Sequence, residues 1–287
     1  MALRINYNLA SSSAQRGLGA SQEAYAKQAT RLSTGLRINT ASDDAAGMAV
    51  SEKLKNQVRG LNQAQRNAQD AISLLQTAEG GLVETHNILA RMREIAVQAA
   101  NDTINNSDRA NLDAEFTQLK AEVDRIANTV QFNGTVLLNT AGATTTTFQV
   151  GANNAQTLTV TLTNNTIGGS SYAAASGTAG LGLGGTVGST VTSLATAATT
   201  LSTLDAAINQ VSSNRANIGA LQSRLESIGR SLAVASENTA AANSRVADAD
   251  IAQSMSELVR AQILQQAGIS VLAQANQAPA LVLQLLK

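Results

Sequence analysis

At 287 residues the chain has room for more than one domain, and its 20 basic and 20 acidic side chains cancel to a formal net charge of zero. With no basic excess it offers nothing to hold nucleic acid or an anionic membrane, and with no cysteine it has neither disulfides nor thiolate metal sites. Three Phe, three Tyr and no Trp leave the core to Ala, Leu, Ile and Val, which suits close helix packing, and a single Pro permits very long helices.

The opening stretch, MALRINYN, carries no apolar h-region and no cleavage site, so no secretory signal peptide is expected. Residues 1–40 place Leu3, Ile5, Leu9, Leu18, Tyr25, Leu32 and Leu36 at helical spacing, with Leu18, Tyr25 and Leu32 seven apart. Asn6, Asn8 and Ser11 to Ser13 are poor helix formers, so this reads as a helix that forms only when packed. Gly35 and the Asn39–Ser42 cluster break it. Ser42 is expected as the cap of the next helix, with Asp43 and Asp44 in its first turn, where the helix dipole favours anions.

From Ala45 to about Ala100 the pattern predicts one helix about 80 Å long at about 1.5 Å per residue. Leu54, Val58, Leu61, Ala68, Ile72, Leu75, Leu82, Leu89 and Ala96 form its stripe, interrupted by Gln65, Glu79, His86 and Arg93. Gly80-Gly81 predicts a bend or a close helix contact. After a turn at residues 101–107, Leu112, Phe116, Leu119, Val123 and Ile126 predict a second helix over about 107–129, antiparallel to the first because the connection is short.

From Ile126 to Leu204 there is no charged residue. Gln131 to Gly134 is a turn signal; Phe148 to Val150 and Leu158 to Leu162 read as short strands; Asn164-Asn165 and Gly168-Gly169 mark turns. Residues 170–188 are of low complexity and expected to form an outer loop. With so few large apolar residues, this segment is expected to decorate the helices rather than build a core. A helix returns near Ser193, with Leu201, Leu204, Ile208, Val211, Ile218, Leu225 and Leu232 on its stripe through about Ser236.

In the tail, Ile251, Met255, Leu258, Ile269 and Leu272 recur at three- and four-residue steps, with Gln262 and Gln265 between them and Val259, Ile263 and Leu264 widening the stripe. No charge lies between Arg260 and Lys287, but the many Gln, Gly268 and Pro279 deny it the roughly 20 apolar residues of a bilayer span. A helix surrounded by helices is the remaining solution. Head and tail are therefore expected to pair with each other and with further copies of the chain, and to be disordered in the free monomer.

Five motifs in order carry a resemblance: Arg31 to Gly47 (RLSTGLRINTASDDAAG), Leu89 to Gln98 (LARMREIAVQ), Gln131 to Gly134 (QFNG), Ser244 to Ala252 (SRVADADIA) and Val271 to Gln277 (VLAQANQ). Together they make the chain similar to the bacterial flagellins over residues 1–140 and 193–287. It departs from them at Ala90, where the family usually has Gln, and at Pro279-Ala280-Leu281 and Lys287 in the tail. The resemblance implies a mainly α, elongated rod of long antiparallel coiled-coil helices with a small β element and a short variable outer segment. It implies residues 1–43 with 245–287 as an inner tube, 44–140 with 193–244 as an outer tube, and 141–192 as a surface segment. It also implies a structural subunit without catalysis or cofactor, exported through the flagellar type III apparatus and assembled outside the cell into the filament used for swimming. Its implied partners are itself, an export chaperone, the filament cap, hook-associated junction proteins and the host Toll-like receptor that senses flagellin. The alternative within the superfamily is a hook–filament junction protein.

Assembly is assigned to Leu18, Tyr25, Leu32, Ile251, Met255, Leu258, Ile269 and Leu272. Arg91, Ile95, Gln98 and Glu115 match positions implied in receptor recognition, against the plainer reading that they serve the filament. His86, the one histidine, has no second His and no Cys to share a metal, so packing or surface is its expected role. The Ser and Thr of the middle segment are possible sites of O-linked sugars, against a plain uncharged loop; Asn164 to Thr166 is an N-linked sequon in form only.

Overall fold

The computed structural model describes residues 8–139, 144–167 and 190–285. The expectations at Leu3, Ile5, Asn6, Gly168-Gly169 and residues 170–188 lie outside them. The fold is mainly α: α1 (Leu9–Thr34), α2 (Ala45–Ala99), α3 (Asn106–Thr129), α4 (Leu194–Ala247) and α5 (Ile251–Leu285). Two hairpins, β1 (Gln131–Phe132) with β2 (Thr135–Val136) and β3 (Thr144–Gln149) with β4 (Thr157–Leu162), stand between α3 and α4. The chain divides into two compact units, residues 1–58 with 237–287, and residues 59–236.

In the first unit, α1 starts earlier than its composition suggests. The Asn8 side chain accepts the Ser11 amide at 3.1 Å, so the cap lies before the serines and Ser11 to Ser13 enter the first turns. Gly35 ends α1 in the left-handed region, φ 71°, with its N–H on the Arg31 carbonyl at 2.8 Å. Leu36 then makes a single β-bridge to Asp248: the Arg37 amide donates to Ala247 O at 2.7 Å and the Ala249 amide to Gly35 O at 2.9 Å. The cap of α2 is Asp44, whose Oδ1 accepts the Gly47 amide at 2.8 Å; Ser42, expected there, instead pairs its hydroxyl with Thr40. A Cβ on Gly47 would collide with the Asp44 carboxylate and the Ile38 side chain, so a larger residue at this third helical position must displace the carboxylate that makes the cap. Asp43 belongs to the turn, accepting the Asn39 and Thr40 amides at 3.2 Å each and pairing with Lys27 at 2.8 Å.

In the second unit, α2 lines its buried face with Leu61, Ala64, Ala68, Ala71, Leu74, Leu75, Ala78, Leu82, Thr85, Leu89, Met92, Ile95, Ala96 and Ala99. The expected stripe is right at Leu61, Ala68, Leu75, Leu82, Leu89 and Ala96, while Leu54, Val58 and Ile72 are half-buried. The other buried side chains are Ala64, Ala71, Leu74, Ala78, Thr85, Met92, Ile95 and Ala99, not Gln65, Glu79, His86 and Arg93. Small side chains let helices approach closely, and alanine supplies much of this face. Helix α4 lies antiparallel to α2, with Gln222 donating to Glu79 at 3.0 Å, Arg93 to Asp205 at 2.7 Å and Ser236 to Asn62 at 2.8 Å. Helix α3 returns beside α2 through a turn held by Arg109, which is buried and donates to Ala99 O, Asn101 O and Asn106 Oδ1, each at 3.0 Å. Helix α4 runs on to Ala247, past the expected end near Ser236, because alanines replace the large apolar residues there and no Gly or Pro intervenes.

The charge-free segment builds core as well as surface. Leu137, Leu138, Leu158, Val160, Leu162, Ile167 and Val191 are all buried in one cluster with α2, α3 and α4. The alternation along β4 does this: Leu158, Val160 and Leu162 face in and the threonines face out. Carboxylates on α3 anchor the segment, Asp124 accepting the Ile167 amide at 2.7 Å and Asp113 the Val191 amide at 2.8 Å. Asn133 (φ 48°) and Gly134 (φ 78°) form the two-residue turn of the first hairpin, as Asn-Gly pairs do.

Candidate functional site

Helices α1 and α5 pack against each other in the first unit, antiparallel. Asn8 Nδ2 donates to Ala275 O at 2.8 Å, Gly268 lies over Leu18, and Gln28 Nε2 donates to Glu257 Oε2 at 2.5 Å. The α5 side of the seam is built from Ser254, Glu257, Leu258, Ala261, Gln265, Gly268, Leu272 and Ala275, the buried and half-buried positions of that helix among the described side chains. A Cβ on Gly268 would be in ordinary contact with Leu18, 3.4 Å from its Cδ1, so glycine here gives close spacing without being sterically required.

Of the assembly residues expected from sequence, Leu18, Leu32, Leu258 and Leu272 are half-buried in this first unit, while Tyr25, Ile251, Met255 and Ile269 are exposed. The seam residues missed are the small ones. Ser254, Ala261, Gly268 and Ala275 recur every seven residues, a period visible in the sequence once small side chains are counted with the apolar ones.

Large apolar side chains of α5 flank this seam and are exposed. Ile251, Met255, Val259, Ile263, Leu264, Ile269 and Val271 are each close to half exposed or more, with Ile263 at 59%. Full burial of such a side chain contributes about 1.5–3 kcal/mol, so at half exposure each retains about 1 kcal/mol to gain. Exposed apolar flanks beside a packed seam are surfaces that further helices can cover.

In the second unit, Arg91 donates from Nε and Nη2 to Glu115 Oε1 at 3.1 and 2.9 Å and from Nη1 to Glu94 at 3.0 Å. Glu115 first, then Glu94, holds its guanidinium protonated above the ordinary arginine value. Gln98 is exposed on the same helix. Ile95 is fully buried and presents no side chain to an outside partner. His86 is half-buried and lines a shallow surface groove with Ala90, Arg93, Val97 and Ile208. Among the described residues no three His, Cys, Asp or Glu gather to hold a metal, and no helix is long and apolar enough to cross a membrane.

The N-terminal helical region of bacterial flagellin matches residues 5–145, and the C-terminal helical region matches residues 201–286. A flagellin of Halalkalibacterium halodurans is 44% identical over 283 residues, 99% of this chain and 99% of that protein. A flagellin of Bacillus subtilis is 42% identical over 305 residues, 99% of this chain and all of that protein. The flagellar filament 33 kDa core protein of Treponema phagedenis is 42% identical over 292 residues, 99% of each chain. Both ends that pair in α1 and α5, and the helices between them, fall within these matches, and the chain belongs to the bacterial flagellin family.

Proposed function

We propose that the α1·α5 pair is the element through which copies of this chain associate, the apolar flanks of α5 being buried by neighbouring copies. The chain is a structural subunit of the bacterial flagellar filament and works outside the cell. The observation that carries the assembly reading is the set of exposed apolar side chains on α5, Ile251 through Val271, with no charge between Arg260 and Lys287 to oppose their burial. Contacts that do not close into a ring extend into a helical filament. In that filament residues 1–43 with 245–287 would form the inner tube and 44–140 with 193–244 the outer tube. The test is Ile263→Glu with Ile269→Glu: the full-length variant should stay in the supernatant where the parent sediments as filaments. Equal sedimentation would reject the reading.

Family membership supports export through the flagellar type III apparatus, with an export chaperone, the filament cap and hook-associated junction proteins as partners. Relatives named as flagellin and filament core protein favour the filament over the hook–filament junction. The surface of Arg91, Gln98 and Glu115 is the part of the receptor assignment that is exposed, and it is a ligand for the host Toll-like receptor that senses flagellin. Monomer binding to that receptor should fall on Arg91→Ala, and no binding by the parent would end this reading.

A further inference from the structure

We propose that Gln28 and Glu257 set the axial register of α1 against α5. The proposal rests on the reading that this pair carries assembly, and it concerns how the pair is aligned rather than whether it associates.

The small residues of the seam, repeated every seven positions, do not by themselves distinguish one register from a slide of seven. Ser254 would take the place of Ala261, Ala261 that of Gly268, and Gly268 that of Ala275, while Gln265 and the leucines at 258 and 272 would exchange places. Against this degeneracy stand the single β-bridge at Leu36 and Asp248, at the closed end of the pair, and the Asn8 contact with Ala275 O at the open end. Between them, the bond from Gln28 to Glu257 joins two side chains across the seam.

Its placement is costly, which is why it specifies. Gln28 is only 8% exposed, and its Oε1 has no hydrogen-bond partner. A small hollow beside it is lined by Ser21, Ala24, Glu257, Arg260 and Ala261. An apolar pair would pack there without an orphaned acceptor, so the polar pair contributes alignment rather than stability. Sliding α5 by seven residues takes Gln28 from Glu257 to Leu264 in one direction, leaving the amide unpaired, or in the other to Asp250, whose carboxylate already caps α5 by accepting the Gln253 amide. Either slide breaks the bond, and an unpaired buried polar group is what makes the wrong register unfavourable.

The chain has no cysteine, so introduced pairs report alignment without background. An ideal Cβ on Gly268 lies 3.8 Å from that of Leu18, within the disulfide range. Leu18→Cys with Gly268→Cys therefore reports the native register. Leu18→Cys with Ala261→Cys, or with Ala275→Cys, reports a slide of seven either way. Each full-length double variant is co-assembled as a minor component with cysteine-free parent chain, oxidised, and scored for intrachain disulfide under denaturing conditions. With Gln28 and Glu257 present, the Gly268 pair should oxidise at least about tenfold faster than either slid pair. With Gln28→Leu and Glu257→Leu added, that preference should collapse to within a few-fold. An undiminished preference in the Leu variant, or no preference with the native residues, overturns the register role. Loss of sedimentation by the Ile263→Glu, Ile269→Glu variant tests the assembly reading separately.

Discussion

Leu138 closes on the backbone of Gly81: a Cβ there would stand 2.7 Å from the Leu138 Cδ1 and 2.8 Å from Val130 Cγ2, whereas a Cβ on Gly80 meets nothing within 4 Å. The two neighbouring glycines of α2 therefore serve opposite ends. Helix propensity alone favours Ala over Gly by about 1 kcal/mol at either site. Gly80→Ala should raise the melting temperature by a few degrees, toward that full propensity gain. Gly81→Ala should lower it, since Leu138 and Val130 must shift within a packed core. Thermal melts of the two single variants check both signs.

Arg109 clamps the α2–α3 turn by reaching two backbone carbonyls and the Asn106 side chain from a buried position. Arg109→Ala leaves those acceptors without their donor and should cost about 3 kcal/mol. Arg109→Lys should recover less than half of that, because a point-like ammonium does not span carbonyls that a planar fork reaches together. Denaturant midpoints of the three proteins decide it.

Phe116, one of only three phenylalanines, is fully buried in the core cluster that α2, α3 and α4 share. Phe116→Ala should cost about 3–5 kcal/mol. Phe116→Leu should cost markedly less because more of the packing volume remains. Equal losses in chemical denaturation would show that the ring shape, not the volume, is what the site requires.

Asp43 ties the turn between α1 and α2. The Lys27 ammonium first, then the Thr40 and Asn39 amides, holds its carboxyl well below the usual carboxylate range. A depressed folded value means the stability Asp43 supplies is fully present above the unfolded value of about 3.9 and is lost as pH falls through the folded one. The melting-temperature gap between parent and Asp43→Asn should hold steady from about pH 5 to 7 and shrink below about pH 4. A gap that widened in acid would contradict the assignment.

Helical periodicity made the five helices legible, because residues seven apart share a face whatever tertiary contacts follow. Leu61, Ala68, Leu75, Leu82, Leu89 and Ala96 fall on the buried face as their spacing requires. The alternate positions were misread wherever a small residue, Ala64, Ala71 or Ala78, did the packing beside a larger or charged one. The same reason hid Ser254, Ala261 and Gly268 in the α1·α5 seam. It also hid the last eleven residues of α4, where alanines carry the helix beyond Val234 with only Val246 as a further large apolar residue.

By itself the sequence determined a mainly α chain with two unsatisfied ends, since periodicity and the absence of charge in the tail are local properties of residue order. Only the tertiary structure decided which face of each end meets the other. Close helix approach rewards the smallest side chain at the contact, and that choice depends on the partner. It was likewise the three-dimensional fold that turned Leu158, Val160 and Leu162 from surface decoration into core, because a strand buries alternate residues only when a helix face is there to cover them.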